Sequence, residues 1–288
     1  MEMQKLQELL RSRVNTMPTK ARRVVNYLLT HMREAAFLSI GEVANHLDVS
    51  KAQLVRVARI LGFKGYADLK EALKESVLEQ VNPAALLNRV INDESDLPQK
   101  IHKMEHANLD DTWNQLSQNK INLFCELIKK THNIYCTGWG ISSMVAEALF
   151  SRFREMAING ILMKRGSLTL IEQARGIKAE DTIIACDLPG YAIQITEAVE
   201  RAQLNGASVV TITDSPAAPI CRFADLSFFV SDNSPTFGSS LIGPIFLVHV
   251  LTSILSISLG EQARKALEDQ TRCLHDERIY HPVFGLRY

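Results

Sequence analysis

Two helix-capping patterns, eleven residues apart, constrain the fold of this chain more tightly than any other feature. Ser39 stands three residues before Glu42, and Ser50 stands three residues before Gln53. In a capping box the hydroxyl accepts a hydrogen bond from a free amide in the first turn, and the Glu or Gln side chain reaches back to the cap amide. The sequence therefore predicts two short helices, over 40–47 and 51–61, joined by a tight turn.

The second of these helices, which Gly62 is expected to end, has one apolar side and one basic side. At about 100° per residue, its apolar side chains fall together, and the expected packing residues are Leu54, Val57, Ala58 and Leu61. A helix-turn-helix places its second helix in a DNA major groove, where Arg and Lys reach guanine edges or phosphates. The expected DNA-contacting residues are Ser50, Lys51, Ala52, Gln53, Arg56 and Arg59. Gln53 lies at the margin of this face, where capping competes with base contact.

Further basic residues precede the motif. Arg22 and Arg23, on a helix expected over 19–30, are candidates for phosphate contacts, which position a protein on DNA without reading its sequence. Residues 1–78 contain 13 Lys and Arg against 8 Asp and Glu, a net charge of +5, whereas the remainder has 19 against 24. A basic N-terminal part suits a polyanionic partner. The alternative interpretation is a solvated charged face on a small helical bundle.

After residue 104 the pattern changes to short apolar strands that alternate with helices. The strands are expected at 134–137, 161–163, 181–186, 208–213 and 226–230. Such alternation predicts a parallel sheet covered by helices on both faces. The expected fold class is therefore α plus α/β, with an all-helical domain over 1–78, a linker over 79–104 and an α/β domain over 105–288.

Two other features bear on where the protein works. Residues 233–260 contain no acidic or basic residue other than His249, but Gly243 and Pro244 interrupt the run and no Lys or Arg cluster flanks it. A helix buried on most sides, in a domain core or a dimer seam, is expected there instead of a membrane span, and His249 is expected to be a core histidine. The five cysteines form no CxxC pair, and no signal peptide is recognised, so a cytoplasmic protein with reduced cysteines is expected.

The helix-turn-helix segment resembles a known family. The run LSIGEVANHLDVSKAQLVRVARILGFKGYADLK, from Leu38 to Lys70, is similar to the N-terminal domain of the RpiR family of bacterial transcriptional regulators. The resemblance implies a C-terminal SIS (sugar isomerase) domain, in agreement with the alternating half. It also implies a cytosolic homodimer or homotetramer that binds palindromic operator DNA and responds to a small metabolite, commonly a phosphosugar.

The first candidate ligand loop follows the strand at 134–137. Its residues are Gly138, Trp139, Gly140, Ser142 and Ser143. Glycines let the backbone approach a ligand, and the serines lie beside a helix N-terminus suited to anions. A dinucleotide site is disfavoured because Ser143 replaces the third glycine and the next strand ends in Lys164 and Arg165 without an acidic residue. The G-x-G-x-S pattern of SIS domains matches, and no cofactor is predicted.

The second SIS signature, S-x-S-G-x-T, is degenerate in this chain. In the corresponding stretch, 187–192, only Gly190 matches, and Asp187 brings a negative charge where a phosphate would bind. Asp187 would suit a cationic or hydroxyl-bearing ligand, and Tyr191 a stacking or hydrogen-bonding role. The alternative is that Asp187 merely caps the following helix. Asp214, after another strand, either lines the same cleft or belongs to an ordinary turn.

Three functions follow from these observations. The leading hypothesis is a DNA-binding regulator with a metabolite-sensing, oligomeric SIS domain and no catalytic residue. A sugar-phosphate isomerase on the same fold would need a base beside a hydroxyl-rich phosphate loop, and no Glu or His stands there. A constitutive DNA binder with a purely structural SIS domain is the third. His275, Asp276 and His281 lack metal-site spacing, so no metal is predicted.

Overall fold

The computed structural model describes residues 3–14, 17–81, 84, 87, 96–279 and 281. The described residues group into two units. The first contains the chain up to Glu105 with the short loops Asp214–Pro219 and Asn233–Ser239, and the second contains the remainder. The expected fold class, an all-helical part followed by an α/β part, is confirmed.

The first unit is a bundle of helices around one apolar core. Its helices are α1 (Met3–Val14), α2 (Thr19–Thr30), α3 (Met32–Phe37), α4 (Ile40–His46), α5 (Lys51–Ile60) and α6 (Tyr66–Val81). The largest fully buried side chains are leucines, contributed by α1, α2, α5 and α6. Since the apolar stripes of these helices meet in one cluster, each helix is held by its packing more than by its own propensity.

Two left-handed residues shape the helix-turn-helix. Asp48 has φ +49° in the turn after α4, where the Val49 amide donates to the Ala44 carbonyl at 2.9 Å. Gly62 has φ +98° after α5, where the Phe63 amide donates to the Ala58 carbonyl at 3.0 Å. This hydrogen bond is the Schellman closure that a left-handed residue permits. The predicted stop at Gly62 is confirmed, and the expected packing residues of α5 are buried.

The second unit is built on a five-stranded parallel sheet. Its strands, in chain order, are β1 (Ile134–Gly138), β2 (Gly160–Met163), β3 (Thr182–Cys186), β4 (Ser208–Thr213) and β5 (Leu226–Phe229). Their spatial order is β2-β1-β3-β4-β5, with all neighbours parallel. The carboxyl ends of all strands therefore meet at one edge of the sheet.

Helices accompany this sheet along the chain. They are α7 (Leu97–Gln115), α8 (Gln118–Lys130), α9 (Ser142–Glu155), α10 (Leu170–Ala174), α11 (Ile193–Leu204), α12 (Ile242–Leu259) and α13 (Glu261–Asp276). A 3-10 helix spans Pro219–Phe223. The predicted linker, 79–104, is helical at both ends because α6 continues to Val81 and α7 begins at Leu97. Most of the stretch between them lies outside the described residues, so the domain boundaries stay a prediction.

The apolar helix α12 is buried along one face only. Leu247, Leu251 and Leu255 pack into the core of the second unit, whereas Ile257 is 80% exposed. By length and composition, α12 is the one described helix apolar enough to cross a membrane. Burial on most sides within one domain core, the first of the two expected settings, is wrong, and His249 is exposed and not in the core. Burial in a dimer seam stays a prediction. No disulfide joins the five cysteines, all of which lie in the described part of the chain.

Candidate DNA-reading helix and effector cleft

The polar face of α5 is presented to solvent. Lys51, Ala52, Arg56 and Arg59 are exposed, and we call these four residues the DNA-reading face. Among the residues that the structure describes, none forms a hydrogen bond or ion pair with the Arg56 or Arg59 guanidinium. Both guanidiniums therefore retain their donors for an external acceptor, such as a phosphate or a guanine edge.

The first predicted capping box forms completely, and the second forms by half. At α4, the Ser39 hydroxyl accepts from the Glu42 amide at 3.2 Å, and the Ser39 amide donates to Glu42 Oε2 at 2.6 Å. At α5, the Ser50 hydroxyl accepts from the Gln53 amide at 3.2 Å. No hydrogen bond from the Gln53 side chain to the Ser50 amide is formed within the described chain. The expectation that capping competes for Gln53 is therefore wrong, and its amide group is available beside the DNA-reading face.

Charge and hydrogen bonds reinforce the entry to α4. Hydrogen bonds from the Ser39 side chain and backbone hold the pKa of Glu42 below its ordinary value. The Lys70 ammonium, on α6, donates to the Leu38 carbonyl at 2.6 Å and to the Phe37 carbonyl at 3.3 Å. Burial lowers the pKa of Lys70. This lysine thus fixes the carbonyls at the end of α3, where the helix itself supplies no donors.

Arg22 and Arg23 both contact backbone carbonyls of the first unit. The Arg23 guanidinium donates to the carbonyl of Leu47, the residue that ends α4. Arg22 donates to the Met17 carbonyl at 3.4 Å, a long hydrogen bond. Arg23 therefore braces the turn between α4 and α5, a structural role that the sequence did not predict. Phosphate contact by either residue stays a prediction.

A groove of about 450 Å³ separates the start of α2 from α5. Pro18, Lys20 and Ala21 line one side, and the α5 side is lined by Ser50, Ala52, Gln53, Arg56, Val57 and Ile60. Lys20 is exposed at the start of α2, whose amino-terminal amides favour anions. The sequence analysis proposed Arg22 and Arg23 for phosphate contacts and missed Lys20. The position of Lys20 in the first turn of the predicted helix could have identified it.

The candidate effector cleft lies at the carboxyl edge of the sheet. In the strand order β2-β1-β3-β4-β5, the chain turns in opposite directions from β1 and β3, and ligands of open α/β sheets bind at such a switch point. Gly138, which ends β1, pairs with Cys186, which ends β3. The structure therefore brings the two predicted loops, 138–143 and 187–192, side by side.

The serines of the first loop make internal hydrogen bonds. Ser142, only 3% exposed, accepts from the Leu188 amide of the second loop at 3.1 Å. The Ser143 hydroxyl donates to the Gly140 carbonyl at 2.7 Å. The first loop can approach the end of β1 this closely because residue 138 is a glycine. A Cβ built on Gly138 would lie 2.4 Å from the Ser142 carbonyl oxygen. Ser142 thus ties the two loops together, and its predicted contact with an effector stays a prediction.

Asp187 is buried in the second loop, and its carboxylate contacts the residue that precedes α11. The carboxylate oxygen Oδ1 accepts from the Ala192 amide, immediately before α11, at 3.1 Å. Gly190 has φ +117°, and Tyr191 has φ +31°, a conformation that aromatic residues rarely adopt. The Asp187 carboxylate thus ties the second loop together next to α11, and both its effector role and the alternative of a helix cap stay predictions. Half-buried Tyr191 is held in a strained loop of the kind found at functional sites.

The remaining predicted residues lie around the same edge. The Trp139 indole is 44% exposed, and the Arg165 guanidinium lies over its ring, 5.6 Å from the centroid. Gly140, also exposed, has φ +57°. Asp214 directly follows β4 and is half-buried, and its role in the cleft stays a prediction. Within the described ranges, no group of three or more His, Cys, Asp and Glu side chains could hold a metal ion.

The comparisons with known proteins agree with both halves of the fold. Residues 4–80 match the family described as a helix-turn-helix domain of the rpiR family, and residues 127–254 match the SIS domain. An uncharacterized HTH-type transcriptional regulator of Caldanaerobacter subterraneus subsp. tengcongensis is 24% identical over 269 residues, which cover 91% of this chain and 94% of the relative.

Two solved structures share the fold. NanR of Vibrio vulnificus, solved in complex with ManNAc-6P, has 22% identity and a TM-score of 0.63 over 94% of this chain and 98% of its own. The sugar isomerase domain of an RpiR transcription factor from Sphaerobacter thermophilus has 24% identity and a TM-score of 0.59, over 62% of this chain and 99% of its own. Since both family signatures match in the order that the fold displays, the chain belongs to the RpiR family of transcriptional regulators, with a SIS domain after its helix-turn-helix.

Proposed function

We propose that this regulator reads operator DNA through the DNA-reading face of α5, joined by Gln53. The observation that carries the proposal is the state of Arg56 and Arg59, which are exposed and make no hydrogen bond or ion pair with any described residue. A surface arginine that is already paired would have to break that pair before it could bind DNA. These two arginines need not, and Arg56 lies nearer the amino-terminal end of α5, which reaches base edges first.

Phosphate contacts are proposed for the start of α2. Lys20 and the first amides of α2 lie across the groove from Arg56 and Ser50. Together they offer positive charge on both sides of a channel next to the DNA-reading face, which suits a DNA backbone entering it. Lys20 would hold the protein on DNA of any sequence, whereas Arg56 and Gln53 would distinguish sequences.

The cleft between the β1 and β3 loops is proposed to bind a small metabolite without converting it. Two subunits joined through their SIS domains would present paired helix-turn-helix heads to a palindromic operator. A ligand that favours one spacing of the heads would shift the population toward or away from the DNA-binding state. The protein would act in the cytoplasm, where the DNA is.

Fluorescence anisotropy of the full chain with labelled duplexes from the DNA upstream of its own gene tests the proposal. Wild-type protein should bind one duplex in preference to a scrambled one, with affinity falling as salt rises. Arg56→Ala should weaken binding to the preferred duplex by about 1–3 kcal/mol. Lys20→Ala should weaken binding to both duplexes alike and lower the salt slope by about one.

Arg154→Ala is the matched control, because Arg154 is exposed on α9 of the second unit and the substitution removes the same charge. It should bind the preferred duplex as wild type does. Equal loss in Arg56→Ala and Arg154→Ala would show that α5 is not the reading helix. Binding that is indifferent to every SIS-domain ligand would support constitutive DNA binding.

A further inference from the structure

We propose that Asp187 determines the ligand class of the effector cleft by excluding phosphorylated ligands. The cleft would accept an uncharged or cationic molecule that donates hydrogen bonds through hydroxyl or amino groups. This inference rests on the proposed role of the cleft as the effector site, and it concerns which chemistry that site admits. It differs from the ligand of the Vibrio vulnificus NanR complex, which carries a phosphate.

The carboxylate of Asp187 occupies the position that an anionic ligand would take at the start of α11. Asp187 is 2% exposed, and its Oδ1 accepts from the Ala192 amide at 3.1 Å. Its backbone is also fixed, because its amide donates to the Ile212 carbonyl at 3.1 Å and its carbonyl accepts from the Thr213 hydroxyl at 2.7 Å. A side chain on a backbone held at both ends by β4 cannot readily move aside for a phosphate.

Most backbone donors of the second loop are already engaged, and the Tyr191 amide donates to the Leu188 carbonyl at 3.2 Å. Pro189 has no amide hydrogen, the Ala192 amide is already bound to Asp187, and the Leu188 amide is bound to Ser142. The Ser143 hydroxyl donates to the Gly140 carbonyl. A phosphate placed here would therefore meet a like charge in a poorly solvated position and gain few hydrogen bonds.

Two cations stand at the end of β2, and both already have partners. The Lys164 ammonium forms an ion pair with Glu147 at 3.1 Å, and the Arg165 guanidinium stacks on Trp139. These residues directly follow the edge strand β2, which lies on the far side of β1 from β3 and its loop. If a phosphate does bind to the wild-type cleft, Arg165 is the residue that would hold it, and this is the alternative that the experiment must be able to detect.

Two further groups near these loops accept hydrogen bonds or offer an apolar surface. In the first turn of α11, the side-chain oxygen Oε1 of Gln194 is buried and has no donor among the described residues. The Trp139 ring is exposed at the opposite loop and can stack on the apolar face of a sugar. An acceptor, a carboxylate and an aromatic ring together suit a sugar or an amine that bears no phosphate.

The test measures ligand binding by the full-length protein, by calorimetry and thermal shift, with ManNAc, ManNAc-6P and inorganic phosphate at matched ionic strength. Wild-type protein should bind neither ManNAc-6P nor phosphate more tightly than it binds ManNAc. Asp187→Asn retains an oxygen that can accept from the Ala192 amide but removes the charge. It should bind phosphate at least roughly tenfold more tightly than wild type. Asp187→Ser, which also frees the amide, should bind it more tightly again.

Asp181→Asn is the matched control. Asp181 is also 2% exposed, and its carboxylate accepts from the Lys178 amide at 2.9 Å and the Asn133 amide at 3.1 Å, immediately before β3. This variant loses the charge of a buried, amide-bound carboxylate at the opposite end of β3, far from the second loop. The variant should therefore gain no phosphate binding.

Two results would overturn the inference. One is tighter binding of ManNAc-6P than of ManNAc by wild-type protein, which Arg165→Ala would trace to Arg165. The other is unchanged phosphate binding in both Asp187 variants. The ligand-binding measurements contain no DNA, so they remain interpretable even if the protein fails to bind the operator duplex. A third outcome would separate the two proposals. If Asp187→Asn gains phosphate binding but the wild-type protein binds no compound in a screen of sugars and amines, Asp187 does exclude phosphate. The cleft would then not be a metabolite sensor.

Discussion

The DNA-reading helix and the effector cleft use polar side chains in opposite ways. On α5, Arg56 and Arg59 are exposed and have no partner within the described chain. In the cleft, Ser142 and Asp187 are buried and bind backbone amides of the second loop. A surface whose donors are unengaged is prepared for a partner, whereas a cleft whose polar groups hold its own loops has already set its shape and charge. The two sites therefore differ in how far a family pattern predicts what they bind.

The largest effect is expected at the glycine that brings the two cleft loops together. Gly138→Ala should destabilise the protein by about 3 kcal/mol or more, because the new Cβ would lie 2.4 Å from a backbone carbonyl oxygen of α9. Chemical denaturation measures the change. Gly166→Ala is the control, since a Cβ there meets nothing within 4 Å, and it should stay within about 0.5 kcal/mol of wild type. Equal stability of the two variants would mean that the β1 loop is not closely packed.

Ser142 tests whether a cleft hydroxyl is structural. Ser142→Ala should lower the free energy of unfolding by about 1–3 kcal/mol, because the buried Leu188 amide loses its acceptor. Ser143→Ala should cost less, since its hydroxyl is half-buried and bonds within its own loop. A Ser142→Ala protein of unchanged stability that loses ligand binding would show that Ser142 serves the ligand directly, and the contrast between the two sites would weaken.

Gln53 gives the opposite test on the DNA side. Gln53→Ala should leave the thermal unfolding midpoint unchanged but reduce affinity for the preferred duplex by about 1 kcal/mol or more, since its side-chain amide can bind an adenine edge. Ser50→Ala should instead lower stability by about 1 kcal/mol, because it removes the oxygen that accepts from the Gln53 amide. If Gln53→Ala lowers stability as Ser50→Ala does, its side chain caps the helix after all.

The smallest effect is expected at Glu42, and it depends on pH. Its pKa is lowered in the folded protein by hydrogen bonds from Ser39, so its carboxylate stabilises the fold above its unfolded pKa. This contribution is lost as the pH falls through the folded pKa. Glu42→Gln should therefore unfold at a lower temperature than wild type near neutral pH, and the difference should disappear in acid. A difference that persists in acid would mean that the carboxylate charge is not the cause.

Side-chain caps fixed helix ends closely, but a helix could be predicted without one, since α2 has no side-chain cap and was expected over its observed range. The segments around α4 and α5 begin at Ser39 and Ser50, and their observed ends fall within a residue of the predicted ones. By contrast, α3 has no side-chain cap, and it was missed, as were α7 and α8. The five strands were found because each is a short apolar run, although pairing order cannot be read from such runs.

The sequence by itself determined the two domain types, through the order of its elements, and it determined the cap serines Ser39 and Ser50 and the exposed basic face of α5, because these depend on residues three or four positions apart. Only the tertiary structure decided which polar side chains are engaged internally. Arg23 binds a carbonyl 24 residues away, and Ser142 binds an amide 46 residues away. A hydrogen bond between such distant residues depends on how helices and strands pack, and periodicity along the chain contains no information about that packing. The same distinction separates a DNA-reading face visible in the sequence from an effector cleft whose chemistry the fold determines.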